Sequence, residues 1–304
     1  MDLKLVDHFL RIAELGSINR AAIELGLSQP TVARSLDQLE RDLGQRLVVR
    51  RRTGVSVTDA GQVLIARGEQ LLRQAASIRE ELENEPAGRA VIGMPVSLRN
   101  LVTYPAIEAM RKSAPKTLMR VYEGLNNQLR DLLAQGLVDL AVLATGQVSE
   151  TDFEQKACAR EPLVLVRSRR LPQPKGPASS EDILRYPLTL PGRPNIIRTI
   201  VERSVGMKKL AAAIAIEAET KDLAIECVRR GVVEQAVALG SGLVESDRRD
   251  FYIVDAKGLW VTWAIAVNRQ RRHLPSVRHL KSILENTMQR AAGSRAWPHS
   301  RLVE

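Results

Sequence analysis

Glycines divide the first 44 residues into three short stretches that each carry helical periodicity. Apolar residues recur at helical spacing from Leu3 to Leu15, and Gly16 ends this run. A second stretch, Ile18–Leu25, ends at Gly26, and a third runs from Ser28 to about Leu43. Two short helices joined by a glycine turn form a helix-turn-helix. The pattern therefore predicts a small helical domain built around this motif.

The third stretch begins with residues that form helices poorly. Ser28 can cap the helix, and Pro30 is tolerated in the first turn because no intrahelical donor is needed there. In a helix-turn-helix, the first residues of the second helix contact base edges in the major groove, where Gln suits adenine and Arg suits guanine. The alternative is an amphipathic helix with a solvated polar face. The residues predicted to contact DNA are Ser28, Gln29, Pro30, Thr31, Ala33 and Arg34.

A small hairpin is predicted after this helix. The stretch RLVVRRRTGVSVTDAG, Arg46–Gly61, has β-branched residues on both sides of RTG, which is typical of two strands and a turn. Cations on such a wing suit phosphates or a minor groove. The wing residues predicted to contact DNA are Arg50, Arg51, Arg52 and Thr53. The hairpin completes an all-α winged helix-turn-helix domain over residues 1–59.

A long amphipathic helix is predicted from Ala60 to about Leu82, ahead of the boundary sequence NEPAG. Its apolar residues follow an approximate heptad. A helix between two domains has nothing of its own to pack against, so we expect it to pair with the same helix of a second subunit. The alternative is a helix that folds back on its own domain. We assign residues 60–87 to this linker and residues 88–304 to a regulatory domain.

Strands and helices alternate after Gly88. RAVIGMPV, TLMRVYEG and VDLAVLAT are predicted strands separated by helices, and a second run from Pro162 includes AAAIAIEA as a strand. This alternation predicts a parallel sheet with helices on both faces. We expect a two-lobed α/β domain with a cleft, with lobe I at about 88–161 and 268–291 and lobe II at 162–267. The tail after Ala291 is expected to be loose.

Several kinds of chemistry have no signature in the sequence. GxSxG and a phosphate loop ending in GK[ST] are absent, and the four histidines lack metal-ligand spacing. We therefore assign no catalytic residue, metal or cofactor, and expect no enzyme. The longest apolar run is too short to span a bilayer. The N-terminal sequence lacks the pattern of a signal peptide, and the presence of only two cysteines is typical of a reducing compartment. A cytoplasmic protein without a membrane partner is expected.

The net charge of +10 does not alone argue for nucleic acid, because the first 60 residues hold nine Lys and Arg against eight Asp and Glu. Non-specific affinity for nucleic acid should therefore be modest. Only 3% of residues are aromatic, which leaves little for stacking on single strands. Groove reading of double-stranded DNA fits better, and the surplus of positive charge lies after Gly88.

The segment INRAAIELGLSQPTVARSLDQLERDLGQRLVVRRRTGVSVTDAG resembles the DNA-binding half of the LysR-type transcriptional regulators. The matching elements are RAA, L-x-x-SQP-x-V, LE-x-x-LG-x-x-L and R-x-x-x-G-V-x-x-T-x-AG, and GRAVIGMPVS and EPLVLV extend the likeness through the second half. The resemblance implies a winged helix, a dimerising linker and a two-lobed domain similar to periplasmic binding proteins. It also implies a homotetramer on double-stranded promoter DNA, often with a small metabolite in the cleft. RNA polymerase is a candidate partner.

The resemblance also suggests where an effector binds. Predicted helix starts near Ser97, Asn195 and Thr220 can hold an anion, and the positive surplus favours a carboxylate or phosphate. Two alternatives stay open: the cations form only a solvated surface, or no effector is needed. PLTLPGRPNIIRTIVE resembles the nitrogen-assimilation-control branch, whose members can act through their own abundance. The candidate effector-binding residues are Ser97, Asn126, Arg193 and Asn195.

Overall fold

The chain divides into two compact units, Met1–Asn84 and Glu85–Glu304. The computed structural model describes residues 2–51, 54–83, 89–145 and 153–303. Within these ranges, no helix is both long and apolar enough to cross a membrane.

Three helices open the first unit, and the predicted helix-turn-helix is confirmed. They are α1 (Leu3–Leu15), α2 (Ile18–Leu25) and α3 (Gln29–Leu43). Ser28 caps α3, because its side chain accepts a hydrogen bond from the backbone amide of Thr31 at 3.3 Å. Each helix ends at a glycine in the left-handed region, which a residue without a Cβ adopts freely. These glycines are Gly16, Gly26 and Gly44, with φ angles of 62°, 66° and 64°.

The helices and the following strand share one apolar core. Its buried residues are Val6, Phe9, Ile12, Ala21, Ala22, Val32, Leu36, Leu39, Leu47 and Val48. Glu40 is buried with them, and its carboxylate accepts hydrogen bonds from Leu47 N at 2.8 Å and Arg46 Nη1 at 2.7 Å. Charge-assisted bonds of this kind are strong, so they fix the hairpin relative to the end of α3.

The predicted hairpin consists of β1 (Val48–Arg51) and β2 (Gly54–Val57), which pair antiparallel. Val55 N donates to Gly16 O at 2.9 Å, which ties the hairpin to the end of α1. Gly54 has a φ of 136°, and a Cβ at this position would collide with Gly16 O. Glycine therefore lets the two segments approach each other.

The linker helix α4 (Asp59–Glu83) begins and ends within a residue of the predicted bounds. Its first half packs on its own domain, because Leu64, Ile65 and Leu72 contact the core of the first unit. The expectation that this helix has no partner in its own domain is therefore wrong for the first half. Three apolar residues of the predicted heptad stay exposed: Val63 at 66%, Ile78 at 60% and Leu82 at 82%.

The second unit is an α/β domain, as predicted. Its strands are β3 (Arg89–Pro95), β4 (Leu118–Gly124), β5 (Leu140–Thr145), β6 (Phe153–Ser168), β7 (Leu188–Leu190), β8 (Ile214–Glu217), β9 (Gln235–Leu239), β10 (Phe251–Asn268) and β11 (Arg301–Leu302). Its helices are α5 (Tyr104–Ser113), α6 (Asn126–Ala134), α7 (Ser180–Leu184), α8 (Ile196–Val205), α9 (Met207–Ala213), α10 (Lys221–Arg229), α11 (Glu245–Asp250) and α12 (Pro275–Ala291). The described strands form one sheet in the order β4-β3-β5-β10-β6-β9-β7-β8, with β11 paired to β6.

The sheet is mixed, so the prediction of a parallel sheet holds only within each lobe. β3 pairs parallel with β4 and β5, and β7 pairs parallel with β8 and β9. Between these groups lie β6 and β10, antiparallel strands of 16 and 18 residues that belong to both lobes. Pro162 in β6 faces Trp260 next to a register shift in β10, where a proline is tolerated. The sequence predicts that the second lobe begins at Pro162, whereas strand β6 continues through this residue.

Two local expectations in the second unit are wrong. AAAIAIEA is not one strand, because α9 continues to Ala213 and β8 starts at Ile214. The tail after Ala291 is not loose, because Trp297 is only 1% exposed and β11 pairs with β6. A short segment with a single buried tryptophan shows no periodicity, so its packing could not be predicted from a sequence pattern.

Candidate functional site

The first turn of α3 presents the predicted DNA-contacting residues as one exposed surface. Gln29, Pro30 and Arg34 are exposed, whereas Val32 and Leu36 are buried in the core. This division follows from helical periodicity, which turns positions 32 and 36 to the inside. Of the remaining predicted residues, Ser28 and Thr31 are exposed and Ala33 is half-buried.

Two hydroxyls of this surface contact each other. Ser28 Oγ lies 2.7 Å from Thr31 Oγ1 and also caps the helix. The side chains of Gln29 and Arg34 make no hydrogen bond to the described residues, so their donor groups remain available to a partner. The structure thus brings together two side chains that can read bases beside two that hold the helix start.

The wing is described only in part. Arg51 is exposed, and its Nε donates to Ser56 Oγ across the hairpin at 3.0 Å. The backbone of Arg50 pairs with Val55. The side chain of Arg50 and the whole of Arg52 and Thr53 lie outside the described residues.

A cavity of about 510 Å³ lies between the two lobes of the second unit. It adjoins the carboxyl ends of strands from both lobes, where open α/β sheets bind ligands. Its polar lining residues are Ser97, Arg99, Asn100, Asn126, Asn195, Glu219, Thr220, Lys221, Asp222 and Ser241. Its larger apolar lining residues are Val96, Tyr104, Leu125, Pro191, Ile196, Ile197, Val237, Leu239, Val244 and Trp263.

Three of the four predicted effector residues, Ser97, Asn126 and Asn195, line this cavity together. The amide of Asn126 is already used at both ends, since it donates to Ala144 O at 3.0 Å and accepts from Ala144 N at 2.7 Å. These bonds tie the start of α6 to β5. Asn195 Oδ1 accepts from Ile197 N at 3.0 Å and caps α8. Both asparagines therefore shape the cavity wall.

Helices α6, α8 and α10 are among those that begin at the cavity. Thr220 caps α10 by accepting from Leu223 N at 3.4 Å. The first amides of an α-helix have no intrahelical acceptor, so those of Lys221 and Asp222 are open to a ligand. The dipoles of these helices place partial positive charge at the same end of the cavity.

The fourth predicted effector residue, Arg193, is not part of the cavity. Its guanidinium donates to Glu202 Oε2 at 2.7 Å and also contacts Met207 Sδ, beside a different surface depression. The hydrogen bond with Glu202 raises the pKa of Arg193 and lowers the pKa of Glu202. Arg198 is buried and bonds Glu202 at 2.6 Å and Glu217 at 2.9 Å. The structure therefore does not bring Arg193 to the cavity with Ser97, Asn126 and Asn195.

The charged groups that line the cavity balance each other. Arg99 binds the Glu123 carboxylate through two nitrogens, at 2.8 and 2.7 Å, and this hydrogen bond raises the pKa of Arg99. Lys221 Nζ lies 2.6 Å from Asp222 Oδ1. Glu219 accepts from Gly192 N at 2.9 Å. Two cations and two carboxylates thus face the cavity, and the cations already have carboxylate partners.

Glu161 is a buried acid that the sequence analysis did not single out. It accepts hydrogen bonds from Ser241 and Trp263, both in the cavity wall, and from Trp297. Burial raises the pKa of Glu161, and the hydrogen bonds from Ser241, Trp263 and Trp297 oppose that shift. A signal was present in the sequence, because an acid stands directly before the apolar run PLVLV.

Comparison with known proteins assigns both units. Residues 3–62 match the model of the bacterial regulatory helix-turn-helix protein, lysR family, and residues 83–289 match the LysR substrate binding domain. The HTH-type transcriptional regulator BbuR of Bordetella bronchiseptica is 27% identical over 98% of this chain and 93% of its own. The nitrogen assimilation regulatory protein nac of Klebsiella aerogenes is 27% identical over 72% of each chain.

The fold has solved counterparts as well. A full-length OxyR variant from Pseudomonas aeruginosa superposes with a TM-score of 0.72 at 21% identity, covering 100% of this chain and 99% of that one. The family models together span nearly the whole described chain, and the helix-turn-helix and two-lobed cavity domain lie where those models match. The chain therefore belongs to the LysR family, as a transcriptional regulator with an N-terminal helix-turn-helix domain and a C-terminal ligand-binding domain.

Proposed function

We propose that the first turn of α3 reads base edges in the major groove of double-stranded promoter DNA, while the wing contacts the backbone. The observation that carries this is the exposed pair Gln29 and Arg34, held on a helix whose opposite face is buried. Gln and Arg make two-pronged contacts to adenine and guanine, respectively. Ser28, Pro30, Thr31 and Ala33 would lie against the groove, with Arg50 to Thr53 on the wing.

Selection of binding sites from a random duplex library tests the DNA-reading proposal. The full chain should enrich one sequence, and a double variant, Gln29→Ala with Arg34→Ala, should no longer enrich it. Enrichment of the same sequence by the double variant would remove α3 as the reader. Random, unenriched binding by the unaltered chain would remove sequence-specific recognition altogether.

We further propose that the cavity binds a small monocarboxylate with an apolar body. The amides at the starts of α8 and α10 can bind the carboxylate, and the apolar lining can cover the rest. A ligand with several negative charges fits less well, because Glu219 and Asp222 face the same space. The negative charge of the proposed ligand agrees with the sequence prediction. Its proposed binding groups are backbone amides at helix starts and not Arg193.

A thermal-shift series on the full chain tests the ligand class. The probes are propanoate, butanoate and hexanoate, with hexanamide as the neutral match and citrate as the polyanion. A ligand at 100 times its dissociation constant adds about 2.7 kcal/mol, which for a domain of this size is a shift of several degrees. The shift should grow with chain length and be absent for hexanamide and citrate. A flat series would remove this ligand class and favour a regulator set by its own abundance.

Self-association belongs to the same proposal. The exposed apolar residues of α4 would pair with α4 of a second copy, and two dimers would form a tetramer on DNA. RNA polymerase is proposed as a further partner at the promoter. The whole protein is proposed to be a cytoplasmic regulator that is not an enzyme. Residues 1–59, 60–87 and 88–304 would then act as reader, dimerisation helix and regulatory domain.

A further inference from the structure

The carboxylate of Glu161 joins three separate parts of the second unit. Glu161 is 1% exposed. Ser241 donates to it through its backbone amide at 2.9 Å and its hydroxyl at 2.7 Å, and Trp263 donates through Nε1 at 2.7 Å. The fourth donor is Trp297 Nε1, at 3.1 Å. One buried acid therefore connects the Gly240–Gly242 turn, strand β10 and the C-terminal segment.

Two of the three partners of Glu161 form part of the cavity wall. Ser241 and Trp263 both line the cavity, and each comes from a different element. Both donate to the same oxygen, Glu161 Oε1. A change in the position of this carboxylate must therefore change the hydrogen bonds of two cavity residues at once.

The third partner, Trp297, belongs to a segment that begins after the last helix. This segment lies beyond residue 289, where the match to the LysR substrate binding domain ends. Its own bonds hold it folded, since Ser300 Oγ donates to Trp297 O at 2.6 Å and accepts from Gly293 N at 2.8 Å. Its strand β11 pairs with β6 directly beside Glu161, with Arg301 opposite Arg160. The segment is thus fixed to the strand that carries the shared acid.

We propose that Glu161 is a positioning residue that couples the C-terminal segment, through Trp297, to the cavity residues Ser241 and Trp263. A buried carboxylate that loses one donor redistributes its bonds among those that remain. The coupling is reciprocal, so a change at Ser241 alters the C-terminal segment as much as the reverse. That an effector uses this coupling rests on the proposed function, whereas the coupling itself does not.

Hydrogen exchange measured by mass spectrometry on the full chain tests the coupling without any ligand. The backbone amide of Ser241 is the reporter, because it donates directly to Glu161 Oε2. Trp297→Phe keeps an aromatic ring and removes the N–H donor. Tyr252→Phe is the matched control, since Tyr252 lies on the same strand as Trp263 but packs against Arg169, away from the C-terminal segment.

Trp297→Phe should speed exchange of the Ser241 amide about tenfold or more, while exchange in β3 stays unchanged. Tyr252→Phe should leave exchange of the Ser241 amide as in the unaltered chain. Equal exchange at Ser241 in the unaltered chain and Trp297→Phe would overturn the coupling, as would an equal increase in Tyr252→Phe.

A second variant tests the coupling from Ser241 to the C-terminal segment, in case Trp297→Phe destabilises the whole second unit. Ser241→Ala removes only the hydroxyl donor, and it should speed exchange of the Val303 amide, which bonds Cys158 O at 3.1 Å. Unchanged exchange at Val303 would overturn the coupling. A failed carboxylate series would remove the proposed effector and would not alter either exchange result, so the two failures are distinguishable.

Discussion

Arg34 and Arg193 are both exposed arginines, but their surroundings give them different roles. Arg34 extends from α3 without a hydrogen bond to the described residues, so its guanidinium is available to DNA. Arg193 is held by Glu202 on the surface of α8. Spacing along a helix predicted the orientation of Arg34, because a helix fixes which face each residue occupies. A loop imposes no such rule, which is why the sequence did not predict that Arg193 lies outside the cavity.

Replacing Arg34 with Ala should weaken binding to the selected DNA site by about 1–3 kcal/mol and relax preference at one base pair. The physical reason is the loss of a two-pronged contact to a base edge. Titration of labelled duplexes with single-base changes measures both effects. Arg11→Ala is the control, because Arg11 is paired with Glu14 and Glu24 in the helices before α3. An equal loss on all sequences would make Arg34 a phosphate contact.

Replacing Arg193 with Ala should leave the thermal shift by hexanoate unchanged and lower the melting temperature slightly at pH 7. Hydrogen bonds from Arg193 and Arg198 lower the pKa of Glu202. A group with a depressed folded pKa stabilises above its unfolded pKa, about 4.3 for Glu, and this contribution is lost as pH falls through the folded pKa.

The melting difference between Arg193→Ala and the unaltered chain should therefore shrink in acid, as measured by unfolding from pH 7 to pH 3. Arg203→Ala, on the same surface, is the control. A lost hexanoate response in Arg193→Ala would place Arg193 in the effector site after all.

Among the elements, α4 packs on its own unit through some of its apolar residues and leaves others exposed. Leu64, Ile65 and Leu72 cover the core of the first unit, whereas Ile78 and Leu82 near the end of the helix stay exposed. The heptad was visible in the sequence, but an apolar residue at a heptad position can pack either on its own domain or on a second helix. Only the positions of α1 and the hairpin decide which residues are already covered.

Glutamate in place of both Ile78 and Leu82 should dissociate the protein into monomers without unfolding it, because charged groups oppose burial in a helix pair. Light scattering after size exclusion reports the mass, and circular dichroism reports the helix content. Val232→Glu is the control, since Val232 is also exposed but lies after α10. An unchanged mass in the double variant would exclude this part of α4 as the interface.

At the scale of the whole molecule, the second unit depends on pairings between residues far apart in the chain. β6 and β10 pair over most of their length, and β11 adds to β6. Lobe boundaries were predicted from the local alternation of strands and helices. This alternation could not reveal strands that belong to both lobes, since the residues that pair lie about 100 positions apart in the chain. The C-terminal segment is the clearest case, because Trp297 is buried in the core and the segment bonds Glu161 and pairs with β6.

Removing residues 292–304 should therefore destabilise the second unit by about 3 kcal/mol or more, the usual cost of losing a large buried aromatic side chain. Denaturant unfolding of the full chain, followed by helix signal, measures the loss. Removal of only residue 304 is the control for an altered chain end. An unchanged midpoint would show that the segment contributes nothing, as its sequence had suggested.

The family, the helix-turn-helix and most helices and strands could be predicted from the sequence, because they follow from local motifs, periodicity, caps and glycines. The sequence also placed Ser97, Asn126 and Asn195 at the cavity, since strand ends in an α/β sheet meet at one edge. Four features became visible only in the folded chain: the direction of Arg193, the continuous strands β6 and β10, the burial of Trp297 and the shared carboxylate of Glu161. These features are contacts between distant segments, and a contact of that kind leaves no period in the sequence of either partner.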